Sequence, residues 1–155
     1  MKSILRKLVL FYTGFSTYIT IEVLFHSKLT LFGAGWSFIA SGIMGALAFI
    51  LIDDINNHIS WNIQLPIQMV LGGLIITIIE FIMGCISLYG FNVRMWDYTD
   101  LPFNILGIVC LYFTIAWIFL SLIAIVLADI INYYVFKEGP LPYYYIFNKK
   151  ISFPK

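Results

Sequence analysis

LPIQMVLGGLIITIIEFIMGCISLY, Leu65 to Tyr89, carries one charged residue, Glu80, in an otherwise apolar and small-residue run. A hydrocarbon core of about 30 Å takes about 20 apolar residues at 1.5 Å per residue, so the stretch is long enough to cross it as a helix. Gly73, Thr77, Glu80, Gly84 and Ser87 recur at spacings of four and three, which places them on one helical face. Small side chains on one face let a second helix approach closely, so Glu80 is expected on a packed face and not toward lipid.

Three further runs meet the same length criterion. They extend from Leu8 to Phe25, Leu31 to Ile52 and Phe103 to Phe136, the last longer than one span and expected to tilt or to emerge along the interface. The second places Gly33, Ser37, Ser41 and Gly45 at intervals of four. The fourth places Gly107, Cys110, Thr114, Trp117, Ser121, Ala124 and Ala128 on a similar seam. The expected fold is an all-α membrane protein, a four-helix transmembrane bundle over residues 1–136 followed by a tail over 137–155.

Composition agrees: 61% of the 155 residues are hydrophobic, 11% are charged, and the mean hydropathy is +0.94. A soluble domain would carry about 25% charged residues. A net charge of +1 without a basic block excludes a nucleic-acid footprint. Lys2, Arg6 and Lys7 precede the first run, but no small-residue cleavage site follows Phe25 and Glu22 interrupts the run, so it is expected to be retained as a helix and not removed as a leader.

With four crossings the two termini and the connection DDINNHISWNIQLP, Asp53 to Pro66, share a side. That side carries Lys2, Arg6, Lys7, Lys137, Lys149, Lys150 and Lys155, against Lys28 and Arg94 on the other. The imbalance predicts cytoplasmic termini, N-in and C-in, in a bacterial cell membrane. The closing GPLPYYYIFNKKISFPK joins three tyrosines to lysines and is expected along the cytoplasmic interface.

An ionised carboxylate in hydrocarbon costs about 2.5 to 3.5 kcal/mol on insertion scales, so an intramembrane acid needs a partner, a proton or water. Glu80 is the clearest case. For Glu22, one turn after Tyr18, and for Asp129, solvation at a helix end and membership of a polar site both stay open. TIEVLFHSKLTLFG, Thr20 to Gly33, and IIEFIMGCISLYG, Ile78 to Gly90, each place a Glu late in an outward-running helix, and chance or duplication accounts for the likeness. His26 and His58 have no ligand-like spacing, and Cys85 and Cys110 match no metal or redox spacing, so neither a metal nor another cofactor is expected.

The densest polar segment is RMWDYTDLPFNILG, Arg94 to Gly107. Asp100 is expected to cap the fourth helix, with Pro102 in its first turn and Asn104 and Gly107 on one face. Trp96, Asp97 and Tyr98 would lie at the outer interface, as an anchor or as one wall of a site that reads a cation or headgroup. These residues carry a resemblance: Glu80, Gly84, Trp96, Asp97, Tyr98, Thr99, Pro102, Asn104, Gly107 and Cys110 resemble the signature of the bacterial type IV ABC-transporter (CmpB-like) membrane-protein family. The likeness covers Ile79 to Trp117 and extends more weakly to the helix with Glu22. FGAGWSFIASGIMG departs from it, lacking the proline of the family's glycine-rich stretch.

The resemblance implies a permease-like or transport-associated subunit. The sequence has no nucleotide-binding P-loop, so any ATPase would be a separate chain. Candidate substrate or ion-site residues are Glu22, Glu80, Trp96, Asp97, Tyr98 and Asn104, with no catalytic set expected. Partners are the bilayer and a further copy or another membrane subunit. The competing reading is a non-catalytic, chaperone-like structural partner, which needs only packing seams and a buried Glu.

Overall fold

The structure is a computed structural model that describes residues 2–25, 35–147 and 149–153. His26, Lys28, Gly33 and the side chain of Ser37 lie outside this description, as does most of the first of the two segments compared for duplication. Among the described residues the chain forms four long helices: α1 (Lys2–Phe25), α2 (Gly35–His58), α3 (Leu65–Cys85) and α4 (Leu111–Ile130). Each of the last two runs on into a π-helical turn, Ile86–Gly90 and Ile131–Phe136. The continuous segments Leu65–Gly90 and Leu111–Phe136 are long and apolar enough to cross a membrane.

Helix α1 packs on α2 and α3 packs on α4, while α2 bridges the two pairs. Missing side chains set the first contact. A Cβ on Gly14 would stand 2.6 Å from the Gly45 carbonyl, and one on Gly45 would stand 2.8 Å from the Gly14 carbonyl. In the second, the Cβ position of Gly73 falls 2.7 Å from the Ile118 backbone and that of Gly72 2.7 Å from Ser121 Cβ. The Ser121 hydroxyl donates across this contact to the Met69 carbonyl at 2.8 Å. The seams read from spacing therefore face protein at Ser41 and Gly45, and at Thr114, Trp117, Ser121 and Ala128.

The fourth helix differs from its expected limits. It begins at Leu111, and Asn104–Ile105 (β1) pairs antiparallel with Val109–Cys110 (β2) in a short hairpin. Phe103, Leu106 and Gly107 adopt left-handed φ values of 54°, 57° and 67°, which no right-handed helix accommodates. Asn104 stabilises the turn, donating through Nδ2 to the Leu101 carbonyl at 2.8 Å and accepting from the Gly107 amide at 3.0 Å. Asp100 is thus not the cap: Cys110 occupies that position, with no side-chain cap bond, and Gly107 and Cys110 are not part of the helical seam.

At the other end, α2 runs past Ile52 to His58, so Asp53 is helical and buried instead of lying in a connection. Pro66 opens α3 in the first turn, where a missing N–H costs nothing. The tail folds back as a hairpin, Tyr143–Ile146 (β3) with Lys149–Ser152 (β4), and Tyr145 bridges to Gln64 beside the start of α3. Tyr144 closes a core cluster with Ile52, Ile55, Leu65 and Ile125.

Candidate functional site

Glu80 is 3% exposed and sits on the α3 face that meets α4. Its Oε2 accepts from Trp117 Nε1 of α4 at 2.9 Å, and its Oε1 accepts from the Tyr98 phenol of the loop between α3 and α4 at 3.0 Å. One turn earlier, Thr77 and Thr114 join the same two helices at 3.2 Å. An ion pair to Glu80 is absent among the described residues, so the two neutral donors supply its contacts.

The loop reaches so deep because Gly84 leaves room for it. Ile108 and Trp96 occupy the space a Cβ would fill, and the Trp96 indole donates to the Ile108 carbonyl at 2.7 Å. The Tyr98 amide donates to the Gly107 carbonyl at 2.9 Å, holding the two arms of the loop together. Tyr98 then stacks on Phe113 at 4.6 Å, Phe113 lies 6.4 Å from Trp117, and Trp117 stacks on Tyr18 of α1 at 5.7 Å. Burial first, and the Glu80 carboxyl next, push the Tyr98 phenol above its usual range, so it remains a donor. Glu22 is within electrostatic reach of both Glu80 and Tyr18.

Asp97 takes another direction. Its side chain is half exposed and accepts from Arg94 Nη1 at 3.0 Å, from the Thr99 amide at 3.0 Å and from the Thr99 hydroxyl. The Thr99 bonds, with Arg94, hold its carboxyl below the usual carboxylate range. Of the six residues singled out from sequence, the structure brings Glu80 and Tyr98 into contact and leaves Glu22 nearby. Trp96 and Asn104 shape the loop, and Asp97 braces its exposed side. No bond joins Asp97 to Glu80 among the described residues.

Two contributors escaped the sequence reading. Trp117 was visible only as a seam residue, and Tyr18 only as the neighbour of Glu22. Of the second polar centre, sequence pointed only to Asp129. Arg6 of α1 donates to Asp53 Oδ2 of α2 at 2.9 Å and to Asn132 Oδ1 at 3.1 Å, and its Nε pairs with Glu138 at 3.2 Å. Asn132 also donates to Asp53 Oδ1. Beside it the Tyr144 phenol donates to Asp129 Oδ2 at 2.8 Å. Charge counting reads Arg6 only as an orientation signal. The polar residue nearest each helix end would have been the cue.

A family model described as "Putative ABC-transporter type IV" matches residues 11–148, a range that takes in most of α1, all of α2, α3 and α4, the loop carrying Tyr98 and the first strand of the tail hairpin. No curated protein and no solved structure matches the chain.

Proposed function

The chain belongs to the family described as Putative ABC-transporter type IV, and from that premise we propose that it is a multi-pass membrane subunit of a transport assembly, with Glu80 at the centre of an acidic site. The observation that carries the reading is a carboxylate placed where helix α3 meets α4, reached from outside by the Tyr98 loop and ringed by Trp117 and Tyr18. Burying a carboxylate there costs stability that a purely structural contact could avoid with an apolar pair.

In this reading all four helices span. Helices α1 and α2 contain 24 residues each, about 36 Å at 1.5 Å per residue, enough for a core of about 30 Å. The exposed Lys7, Lys137, Lys149 and Lys150 lie at one end with the tail, which makes that end cytoplasmic in a bacterial cell membrane. The subunit is non-catalytic, associates with another copy or another membrane subunit, and leaves ATP hydrolysis to a separate chain. Tyr98 and Glu22 belong to the site with Glu80, while Trp96, Asp97 and Asn104 hold the loop over it.

A structural partner role is the second reading, favoured by the fact that both Glu80 oxygens have donors from the chain itself. Glu80→Gln separates the two, because it keeps shape and one acceptor but carries no charge. The variant is expected to fold and to lose activity in a complementation assay. Full activity would leave Glu80 a structural residue and end the transport-site reading.

A further inference from the structure

The tail hairpin has two unlike faces. Tyr144 points into the bundle and joins Ile52, Ile55, Leu65 and Ile125, with Phe153 packed beside it. Side chains alternate along a strand, so Tyr143 and Tyr145 take the opposite face, and their partners in the register, Ser152 and Lys150, share it. Trp61, from the connection between α2 and α3, extends that face: its ring centre lies 5.6 Å from that of Tyr143. All three rings are partly exposed. The bridge from Tyr145 to Gln64 fixes the face beside the first turn of α3, level with the helix end.

Charge on this face has one sign. From Gly139 to Lys155 the sequence holds Lys149, Lys150 and Lys155 and no acid, and residues 59–64 carry no charge. Of the acids beside the hairpin, Glu138 is paired with Arg6, and Asp129 is bonded to Tyr144 on the inner side. Lys149 and Lys150 are exposed, and the Lys150 ammonium lies 3.8 Å from the centre of the Tyr143 ring, so its charge is presented on the aromatic face. Phe147, directly after β3, is 82% exposed at a left-handed φ of 45°, a conformation that costs a bulky residue energy. Rings with polar tips, a bare phenyl and lysines without acids suit a layer of anionic lipid headgroups. An acidic protein partner would account for the lysines, but not for a belt of aromatic side chains level with the helix end.

We propose that this face, Trp61, Tyr143, Tyr145 and Lys150 with Lys149 and Phe147 at its edge, binds the anionic phospholipids of the leaflet it meets, the lysines on phosphate and the rings among the upper acyl segments. The inference uses neither Glu80 nor a transport role and rests only on the reading that the helices span. It makes the tail hairpin a reader of lipid charge as well as a cover for the α2–α3 end of the core.

The test places the full chain in phosphatidylcholine vesicles in which a rising share of the lipid is brominated on its acyl chains, either as phosphatidylglycerol or as phosphatidylcholine. Quenching of Trp61 is read as the difference between the wild type and Trp61→Phe. A lysine near an anionic surface is worth about fivefold in binding, so half-quenching is expected at a phosphatidylglycerol share at least about fivefold below that of phosphatidylcholine. Lys149→Ser combined with Lys150→Ser should bring the two shares together and leave quenching by phosphatidylcholine unchanged, whereas Lys7→Ser combined with Lys137→Ser should keep the difference. Equal shares in the wild type, or a preference that survives the loss of Lys149 and Lys150, overturns the proposal. So does the absence of Trp61 quenching by either lipid, the result expected of a face turned to water or to a soluble partner. Flotation in alkaline carbonate checks insertion independently: a chain that stays inserted without a preference defeats this proposal alone, and a chain stripped from the vesicles defeats the spanning reading and this proposal with it.

Discussion

Arg6 and Asp53 lie 47 residues apart in sequence, and neither belongs to a recognisable motif, yet their ion pair joins α1 to α2. Removing one member of such a pair leaves a buried charge poorly compensated, so Arg6→Ala should cost about 3 kcal/mol. Adding Asp53→Asn to Arg6→Ala should recover part of the loss, and melting in detergent reports both. Asp97 illustrates a different balance. Its exposed carboxyl is held below the usual range by Thr99 and Arg94, so its contribution to loop order is complete above the unfolded value, about 3.9. That contribution is lost as the pH falls from there through the lowered folded value. Protection of residues 94–107, measured against intrinsic exchange at each pH, should therefore hold at pH 5 and fall only below about pH 4, and Asp97→Asn should show the lower protection at pH 7 as well. Protection that falls already between pH 7 and 5 would assign the loop's order to another group. At this scale Glu80 was legible from sequence because a lone acid in an apolar run has few ways to be satisfied. Tyr98 was legible as an interfacial aromatic, but its partner was not.

Among elements, the α1–α2 crossing depends on two absent side chains, Gly14 and Gly45. Gly45→Leu drives atoms into the Tyr18 side chain and the Gly14 carbonyl, and should lower stability by about 3 kcal/mol or prevent folding. Phe49→Leu keeps an apolar side chain in the same core and should cost about 1 kcal/mol. Equal melting of the two variants would remove the close crossing from the account. The turn before α4 yields an opposed pair. Leu106 is half exposed with φ 57°, so Leu106→Gly relieves an unfavourable backbone at little loss of burial and should be neutral or stabilising by about 1 kcal/mol. Gly107 has φ 67°, and a Cβ there would stand 2.8 Å from Arg94 Nη1, so Gly107→Ala should destabilise. The expected start of the fourth helix near Phe103 failed here for a physical reason. Asp100 and Pro102 carry start signals, but the Asn104 side chain bonds the backbone of its own turn and competes with helix formation.

For the whole molecule, the proposed orientation predicts which ends meet which solution. In a chain with Cys85 and Cys110 replaced by alanine, a cysteine at Thr99 should react with an impermeant reagent in intact cells, and one at Ser152 should not. Both positions are exposed, so the comparison reads side and not burial. The reverse pattern would invert the bundle, and equal labelling would argue against four crossings. The sequence by itself determined the four helical segments and the packed face that holds Glu80, because apolar length and helical period are local properties. It also determined that small residues would mark the closest contacts, since a missing Cβ acts wherever helices meet. Only the tertiary structure decided that the loop between α3 and α4 folds onto the bundle, that Tyr98 and not Asp97 meets Glu80, and that Arg6 joins Asp53 and Asn132. Those pairings span 18 to 126 positions. They follow from which backbones come together once Gly84 admits the loop and Gly14 admits α2, and no periodicity within a single helix carries that information.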